Sequence, residues 1–129
     1  MRHRATALII RDKKLLLVLE GGYCYTPGGG IKEGETAEQA LARECMEEVG
    51  VSVLAARPYF TYDCITVHRK IPQRNYCFFV EIEGVPAACD DDAVQDALWL
   101  TYEEIAARTD IIPYEQEMMY DRLREEGLI

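Results

Sequence analysis

Apolar residues first occur in two short runs, Ala5–Ile10 and Leu15–Leu19, which are separated by the polar stretch Arg11–Lys14. Runs of this length that are rich in branched side chains are typical of buried β-strands. They predict a hairpin, or two adjacent strands, with at least one strand buried on both faces. The glycines in Gly21–Gly22 and Pro27–Gly30 then predict turns.

The segment Thr36–Val49 has the clearest helical pattern, because it is rich in Ala, Leu, Glu and Met. Thr36 and Gln39 have the spacing of a capping box, which satisfies backbone N–H groups at the start of a helix. Gly50 suits the left-handed position that ends many helices. We therefore predict a helix that begins after Thr36 and ends at Val49.

The rest of the chain predicts further strands and short helices. These are strands over Val51–Tyr62, Asn75–Glu83 and Ala97–Leu100, a helix over Thr101–Ala107 capped by Thr101, and a last helix from Pro113 to Glu126. The polar segment Val67–Arg74 predicts the loop of a hairpin. Because strands and helices alternate without a regular βαβ rhythm and no linker interrupts them, the pattern favours one α+β domain over residues 1–129 with a mixed sheet.

Composition narrows the class of protein. The 129 residues are 49% hydrophobic and 29% charged, as in globular domains. No apolar run approaches the roughly 18 residues that span a bilayer, and no secretory signal is evident, so we expect a cytoplasmic protein without a membrane partner. The net charge of -9 argues against binding to duplex nucleic acid. The five scattered cysteines form no C-x-x-C pair and predict reduced thiols.

Two glutamates occupy the wrong face of the predicted helix. On a helical wheel, Glu44 and Glu48 fall one turn apart within the apolar arc, and Glu47 lies just beside it. Two buried like charges are costly unless a positive group meets them. Converging carboxylate oxygens suit a hard cation such as Mg²⁺. The alternative is an ordinary solvated, glutamate-rich helix.

The spacing of glycine, glutamate and arginine around this helix forms a motif. Gly29, Glu35 and Arg43–Val51 fit the pattern G-x5-E-x7-R-E-U-x-E-E-x-G-U, where U is a bulky aliphatic residue. The pattern resembles the Nudix box of the Nudix hydrolases over residues 29–51, with Cys45 in place of an aliphatic residue. The resemblance implies a Nudix-type α/β/α sandwich with a mixed β-sheet and the Nudix-box helix on one face. Most members of the family hydrolyse a diphosphate linkage in a nucleoside diphosphate derivative with Mg²⁺ or Mn²⁺.

The resemblance also implies metal ligands. By position in the box, Glu44 and Glu48 would be the principal ligands of Mg²⁺, with Mn²⁺ as a substitute. Glu47 would bind a further metal ion or a water molecule at the metal. The carbonyl of Gly28 is a candidate extra ligand.

The remaining charged positions of the box imply supporting and catalytic roles. Arg43 would hold the glutamates in place, and Glu35 would assist it from the start of the helix. Glu44 is a candidate base for activating water. A base or ligand from outside the box is expected in the acidic stretch Asp90–Asp92, or at Asp96, although a solvated loop explains that stretch equally well.

Substrate binding is encoded weakly. Basic residues cluster near the N-terminus and in the predicted loop, where guanidinium and ammonium groups could bind a phosphate. The candidates are Arg4, Arg69, Lys70 and Arg74. Aromatic residues that could stack on a base are Tyr23, Tyr25, Tyr59, Phe60 and Tyr62, although core packing explains them as well.

Three functions therefore compete. The first is Mg²⁺-dependent hydrolysis of a diphosphate linkage in a small phosphorylated substrate, a nucleotide or nucleoside diphosphate derivative. The second is an enzyme similar to isopentenyl diphosphate isomerase, which would need a cysteine such as Cys24, Cys64 or Cys77 in the site. The third is a non-catalytic nucleotide-sensing module, against which the intact box argues. Tyr114–Leu123 is expected either to form a homodimer contact or to pack on the sheet.

Overall fold

Two four-stranded β-sheets form the centre of the fold in a computed structural model that describes residues 1–89 and 93–129. The strands are β1 (Arg2–Leu8), β2 (Ile10–Arg11), β3 (Lys14–Glu20), β4 (Tyr23–Tyr25), β5 (Gly28–Gly30), β6 (Ser52–Ile65), β7 (Pro72–Glu83) and β8 (Asp96–Leu100). The helices are α1 (Ala37–Val49), α2 (Tyr102–Ala107), α3 (Pro113–Glu115) and α4 (Asp121–Glu125), with a π-helical turn over Gln116–Tyr120 between the last two. Among the residues described, no helix combines the length and the apolar character needed to cross a membrane.

The first sheet is mixed, as the sequence predicts. Its strands lie in the order β5-β1-β7-β6, and β1 runs parallel to β7 but antiparallel to β5. The strands β6 and β7 form a long antiparallel hairpin with two register shifts. In the second sheet, β3 pairs antiparallel with β2, β4 and β8. The predicted α+β class is confirmed.

Helices cover both faces of this arrangement. On one face, the buried side chains of α1, among them Leu41 and Cys45, pack against β1 and β7. On the other face, Met119, Tyr120 and Leu123 are fully buried against the second sheet and the far side of the first. The last helical segment therefore packs within the chain, as one of the two alternatives for it expects, and the homodimer stays a prediction.

The ends of α1 follow directly from local sequence. Thr36 Oγ1 accepts a hydrogen bond from the Gln39 N–H at 3.1 Å, and Gln39 Oε1 accepts one from the Thr36 N–H at 2.8 Å. Gly50 has a φ of 68° and donates its N–H to the carbonyls of Cys45 and Met46. The predicted capping box and glycine stop are confirmed, and they set the direction in which the glutamates of α1 point.

The first hairpin is much shorter than the apolar runs predict. Only Ile10 and Arg11 pair with Lys14 and Leu15, through a turn at residues 12 and 13 with positive φ. β1 instead forms its ladders with β5 and β7, because the chain passes from one sheet to the other around residue 9. Pairing between distant strands has overridden the local hairpin signal.

The later elements are close to those predicted. β7 begins at Pro72, so it extends into the segment predicted as a loop and places Gln73 and Arg74 on a strand. Thr101 caps α2 through a second capping box. Pro113 is the first residue of the last helical segment, as expected. The extension of β7 matters for the site, because neighbouring strand residues face opposite sides of the sheet.

Replacing Thr36 should weaken α1 without disturbing its packing. We expect Thr36→Ala to lower the free energy of unfolding by about 1 kcal/mol, because it leaves an N–H of the first turn without its side-chain acceptor. The matched control Thr36→Ser keeps the hydroxyl and should lie within a few tenths of a kcal/mol of the parent. Urea unfolding measures both, and equal stability of the Ala variant and the parent would contradict the assigned cap.

Candidate active site

A glycine strand lies directly beside β1 at the centre of the candidate site. Gly28 pairs with Thr6, and its φ of 143° lies in a region that other residues rarely adopt. A Cβ added at Gly28 would overlap the carbonyl oxygen of Ala5. Only glycine therefore allows β5 to approach β1 closely enough for α1 to pack across both strands.

Glu48 of α1 is buried against this glycine strand. Glu48 is only 3% exposed, and its Oε1 accepts a hydrogen bond from the Gly28 N–H at 2.8 Å. Glu44, one turn earlier, is largely buried, whereas the side chain of Glu47 is half exposed. The prediction that Glu44 and Glu48 turn toward the interior, with Glu47 beside them, is confirmed.

Arg43 ties the start of α1 to the carboxylates. Its guanidinium donates to both carboxylate oxygens of Glu35 at 2.8 and 2.9 Å, to Glu44 Oε1 at 2.7 Å and to the Gly30 carbonyl at 3.1 Å. The hydrogen bonds from Arg43, and then from the Lys32 N–H, lower the pKa of Glu35 to about 2. The hydrogen bonds to Glu35 and then to Glu44 raise the pKa of Arg43. This geometry agrees with the holding function that the box implies for Arg43.

Gly29 leaves room for the Glu44 carboxylate. An added Cβ at this position would overlap both the carboxyl carbon and an oxygen of Glu44. The next residue differs, since a Cβ at Gly30 would meet only the flexible end of Arg2, 3.3 Å away. The glycine that opens the motif thus forms a cradle for the carboxylate.

These groups form one wall of a pocket of about 450 Å³. Glu44, Glu48 and the three glycines of β5 form the acidic wall. The guanidinium groups of Arg2, Arg4 and Arg69 and the rings of Tyr23, Tyr25 and Tyr114 also line it. The pocket therefore brings carboxylates and guanidinium groups to a single space.

Arg4 is the buried cation of the site. It is 8% exposed, and Nη2 donates to the Thr26 carbonyl at 2.7 Å. Burial alone would lower the pKa of Arg4, but the charges of Glu115 and, next, of Glu48 raise it above its ordinary value. Its position in the pocket wall agrees with the predicted set of basic residues.

Arg2 is held toward the pocket by buried amides. Its Nη1 donates to Gln73 Oε1 at 2.6 Å, and Gln73 Nε2 donates to Asn75 Oδ1 at 2.9 Å. Burial lowers the pKa of Arg2, and repulsion from Arg4 and Arg69 lowers it further. Arg2 belongs to the basic cluster near the N-terminus that the sequence offers for binding a phosphate, and it alternates with Arg4 along one strand.

Two of the four predicted phosphate-binding residues lie away from this pocket. Arg74 forms an exposed ion pair with Asp63 at 2.8 Å, because it points to the opposite face of β7 from Gln73. Lys70, in the hairpin loop with a φ of 55°, is exposed and also outside the pocket wall. Arg69, its neighbour, does line the pocket. Arg74 and Lys70 are therefore not among the residues that line this pocket, and phosphate binding by them stays a prediction.

The other predicted site residues lie outside the pocket lining or outside the residues that the structure describes. Asp90–Asp92 lie outside the residues that the structure describes. Asp96 is exposed at the start of β8, where it accepts from the Ala97 N–H. Cys24 and Cys77 are buried, which raises their pKa to about 11 and about 12, and neither lines the pocket.

The structure separates the aromatic residues that line the pocket from those that do not. His68 lines the pocket and contacts the Tyr23 ring edge-on, with ring centroids 4.8 Å apart. Tyr25 donates a hydrogen bond to Glu20. Tyr59, by contrast, donates to Glu126 on the far side of the sheet rather than lining the pocket.

The donor chemistry of the acidic wall fits a hard cation. The residues described contain no group of three or more His, Cys, Asp and Glu side chains arranged around a metal. The candidate metal ligands of the box are carboxylate oxygens of Glu44 and Glu48 and the carbonyl of Gly28, all of them oxygen atoms. Mg²⁺ binds proteins through one or two carboxylates and keeps several waters, so two carboxylates in an open pocket suffice.

The chain belongs to the Nudix family, because the family profile described as NUDIX domain matches residues 1–121. The uncharacterized Nudix hydrolase YfcD of Escherichia coli K12 is 30% identical over 120 residues, which cover 85% of this chain and 65% of YfcD. The nucleoside triphosphatase NudI of Salmonella newport is 33% identical over 87 residues, covering 61% of this chain and 62% of NudI. The chain thus spans less than two thirds of the length of these relatives.

Solved structures share the fold. The NUDIX hydrolase from Nitrosomonas europaea has a TM-score of 0.82 at 24% identity and covers 98% of this chain and 90% of its own. The E. coli ORF135 protein has a TM-score of 0.78 at 22% identity, with 96% and 91% covered. The predicted Nudix-type architecture is confirmed by this likeness.

Filling the cradle at Gly29 should disturb Glu44 specifically. We expect Gly29→Ala to weaken Mn²⁺ binding by about tenfold, the lower end of what displacing a supporting contact costs at metal sites. The adjacent Gly30→Ala should change it less than about twofold, because the side chain that must move there is Arg2, which is not a proposed metal ligand. Electron paramagnetic resonance of free Mn²⁺ measures both variants, and equal effects would contradict the cradle.

Protonation of Glu35, which breaks its ion pair with Arg43, should contribute to unfolding in acid. The pKa of Glu35 falls from its ordinary 4.5 to about 2 on folding, so the pair stabilises the protein fully above pH 4.5 and loses its effect as the pH falls toward 2. Glu35→Gln should therefore lower Tm near neutral pH, with the gap to the parent closing through this window. Glu33→Gln, at a neighbouring exposed carboxylate, is the control. A gap that stays constant down to pH 2 would exclude the assigned pairing.

Proposed function

We propose that the protein is a divalent-cation-dependent hydrolase that cleaves the diphosphate linkage of a nucleotide or nucleoside diphosphate derivative. The observation that carries the proposal is the burial of Glu48 in the lining of a pocket that Glu44 and the arginines Arg2, Arg4 and Arg69 also line. A polyanionic substrate needs cationic partners, and converging carboxylates bind a divalent cation through their oxygen atoms. Both kinds of contact form if the substrate arrives with its metal ion.

The acidic wall would hold the cation. Glu44, Glu48 and the Gly28 carbonyl would bind Mg²⁺, or Mn²⁺ in its place, with Glu47 at the exposed edge. The bound ion would neutralise phosphate oxygens and make water more acidic. Arg43 and Glu35 would keep Glu44 oriented, through the hydrogen bonds at 2.7 to 2.9 Å. Glu44 would also accept the proton of the attacking water.

The remaining pocket groups would bind the substrate. Arg2 and Arg69 present guanidinium groups that suit bidentate hydrogen bonds to phosphate oxygens. Arg4 would contribute mainly through its charge, because it is buried and already donates to Thr26. The rings of Tyr23 and Tyr25 offer a surface for a base. The relative NudI, a nucleoside triphosphatase, supports a nucleotide as substrate.

The alternatives have weaker support. An isomerase that moves a double bond would need a cysteine in the site, and Cys24, Cys64 and Cys77 all lie outside the lining of this pocket. A nucleotide sensor without turnover would not need the complete set of charged box residues. The intact contacts of Arg43 with Glu35 and Glu44 therefore favour catalysis.

The deciding experiment combines a substrate panel with one matched pair of variants. The full chain is incubated with Mg²⁺ and nucleoside triphosphates, nucleoside diphosphate sugars, dinucleotides and isopentenyl diphosphate, and the products are separated by chromatography. Glu48→Gln should lose about a hundredfold or more in turnover, since even supporting residues of metal sites cost about 10- to 100-fold. The control Glu38→Gln alters an exposed carboxylate of the same helix and should behave like the parent.

Each outcome separates the candidate functions. Cleavage of a diphosphate that disappears in Glu48→Gln supports the hydrolase. Tight nucleotide binding without any product supports the sensor, and an isomerised allylic diphosphate supports the isomerase. Near-normal turnover in Glu48→Gln would refute the proposed site.

A further inference from the structure

Glu20 is a carboxylate in the pocket lining that belongs neither to the motif nor to the chemistry proposed above. It ends β3, is half-buried, and shares the lining of the pocket with Glu44 and Glu48. Among the residues described, these glutamates are not arranged as one group of three around a metal ion. The cation site therefore does not account for Glu20.

The register of the β3–β4 hairpin places Glu20 beside aromatic rings. Glu20 pairs directly with Tyr23 in an antiparallel ladder, and Tyr25 follows two residues later. Residues that pair directly, and residues two apart on one strand, point to the same face of a sheet. Glu20, Tyr23 and Tyr25 therefore share one face, and all three line the pocket. Leu19 and Cys24 take the opposite face and pack in the core.

Tyr25 holds the Glu20 carboxylate in place. Its hydroxyl donates a hydrogen bond to Glu20 Oε2. Burial, and next this hydrogen bond, raise the pKa of Tyr25, so the hydroxyl keeps the proton that it donates. An ionised carboxylate offers about four acceptor positions on its two oxygens, and Tyr25 uses one of them. The carboxylate therefore keeps the capacity to accept hydrogen bonds from a bound molecule.

The charge of Glu20 limits which part of a nucleotide it can contact. A carboxylate repels a phosphate chain, and this repulsion is stronger in a pocket that partly excludes water. The groups of a nucleotide that can donate to a carboxylate are the sugar hydroxyls and the N–H groups of the base. The rings of Tyr23 and Tyr25 on either side of Glu20 favour the base, because a base that stacks on them presents its edge to the same face of the hairpin.

We propose that Glu20 is a specificity-determining residue that accepts a hydrogen bond from an exocyclic amino group of the substrate's base. The inference rests on the proposed function, since it takes the substrate to be a nucleotide whose base stacks on Tyr23 and Tyr25. Adenine, cytosine and guanine carry such an amino group, whereas uracil, thymine and hypoxanthine do not. The substrate class is thereby narrowed to nucleotides with amino-bearing bases.

Pairs of nucleotides that differ by one amino group test the assignment. The pairs are the triphosphates of adenosine and purine riboside, of guanosine and inosine, and of cytidine and zebularine. With Mg²⁺, the parent should prefer the amino-bearing member of at least one pair by about tenfold or more in kcat/KM, as expected for a hydrogen bond to a charged group. Glu20→Met should reduce this preference to within about twofold, and Glu20→Gln, which keeps an acceptor oxygen, should retain part of it.

Inorganic tripolyphosphate separates base recognition from metal binding. It carries a phosphate chain without a base, so with Mg²⁺ it should bind Glu20→Met at least as tightly as the parent, because a repelling charge has been removed. Loss of a metal ligand would instead weaken this binding, and loss of a catalytic base would lower kcat equally for both members of a pair. Isothermal titration calorimetry measures the binding. The matched control Glu33→Met removes an exposed carboxylate outside the pocket lining and should behave like the parent in both assays.

The outcomes distinguish this inference from the proposed function. A parent that binds none of these nucleotides or shows no preference in any pair, or a Glu20→Met variant that keeps the preference, would overturn the role of Glu20. So would weaker tripolyphosphate binding by Glu20→Met, or a changed preference between ATP and 2′-deoxy-ATP, which would assign Glu20 to the sugar. If the parent binds the nucleotides without cleaving them, dissociation constants replace kcat/KM in the same comparison, and only the proposed hydrolysis fails. Near-normal turnover in Glu48→Gln would refute the proposed cation site, and the preference of the parent would still decide the role of Glu20.

Discussion

The burial of the Glu48 carboxylate is the constraint on which the site depends. A charge removed from water is tolerated only when donors and opposite charges surround it. The Gly28 N–H supplies one donor, and Arg4 supplies a charge that Glu115 shares. Glu48 lies in the lining of the pocket together with Glu44. Because the chain belongs to the Nudix family, we propose that these carboxylates bind a metal ion.

The glycine strand makes this arrangement sterically feasible. β5 lies so close to β1 that a side chain at Gly28 would meet the backbone of Ala5, and one at Gly29 would meet Glu44. α1 can then cross the sheet with its carboxylates directly over the backbone. Arg43 fixes the same helix from the other side, through Glu35 and the Gly30 carbonyl. Steric and electrostatic requirements thus converge on a few residues of the motif.

The arginines of the pocket are positioned by a different kind of contact. Arg2 is not fixed by a local motif but by Gln73 on a strand that runs parallel to its own. Buried amides on β7 orient it, at the end of the sheet face where polar residues replace the apolar core. Arg74 follows Gln73 in the sequence but points to the other face of the same strand, where it pairs with Asp63. It therefore does not line the pocket. Strand alternation selects which basic residues reach the pocket.

The amino-acid sequence determined the features that depend on neighbouring residues. The capping box at Thr36, the stop at Gly50 and the inward direction of Glu48 follow from helical periodicity and hydrogen bonds within one turn. The motif spacing indicated the family for the same reason, since a helix carries its side chains at fixed intervals.

Only the tertiary structure decided which distant groups meet. Contacts between segments far apart in the chain determine three features: the short first hairpin, the hydrogen bond of Arg2 to Gln73 and the burial of Glu115 against Thr26. The π-helical turn that brings Tyr120 to Glu115 leaves no periodic pattern in the sequence. It depends on the packing around the turn rather than on the residues within it. Local energies define the helix, whereas the charge environment of its carboxylates is set by strands and turns that only folding brings together.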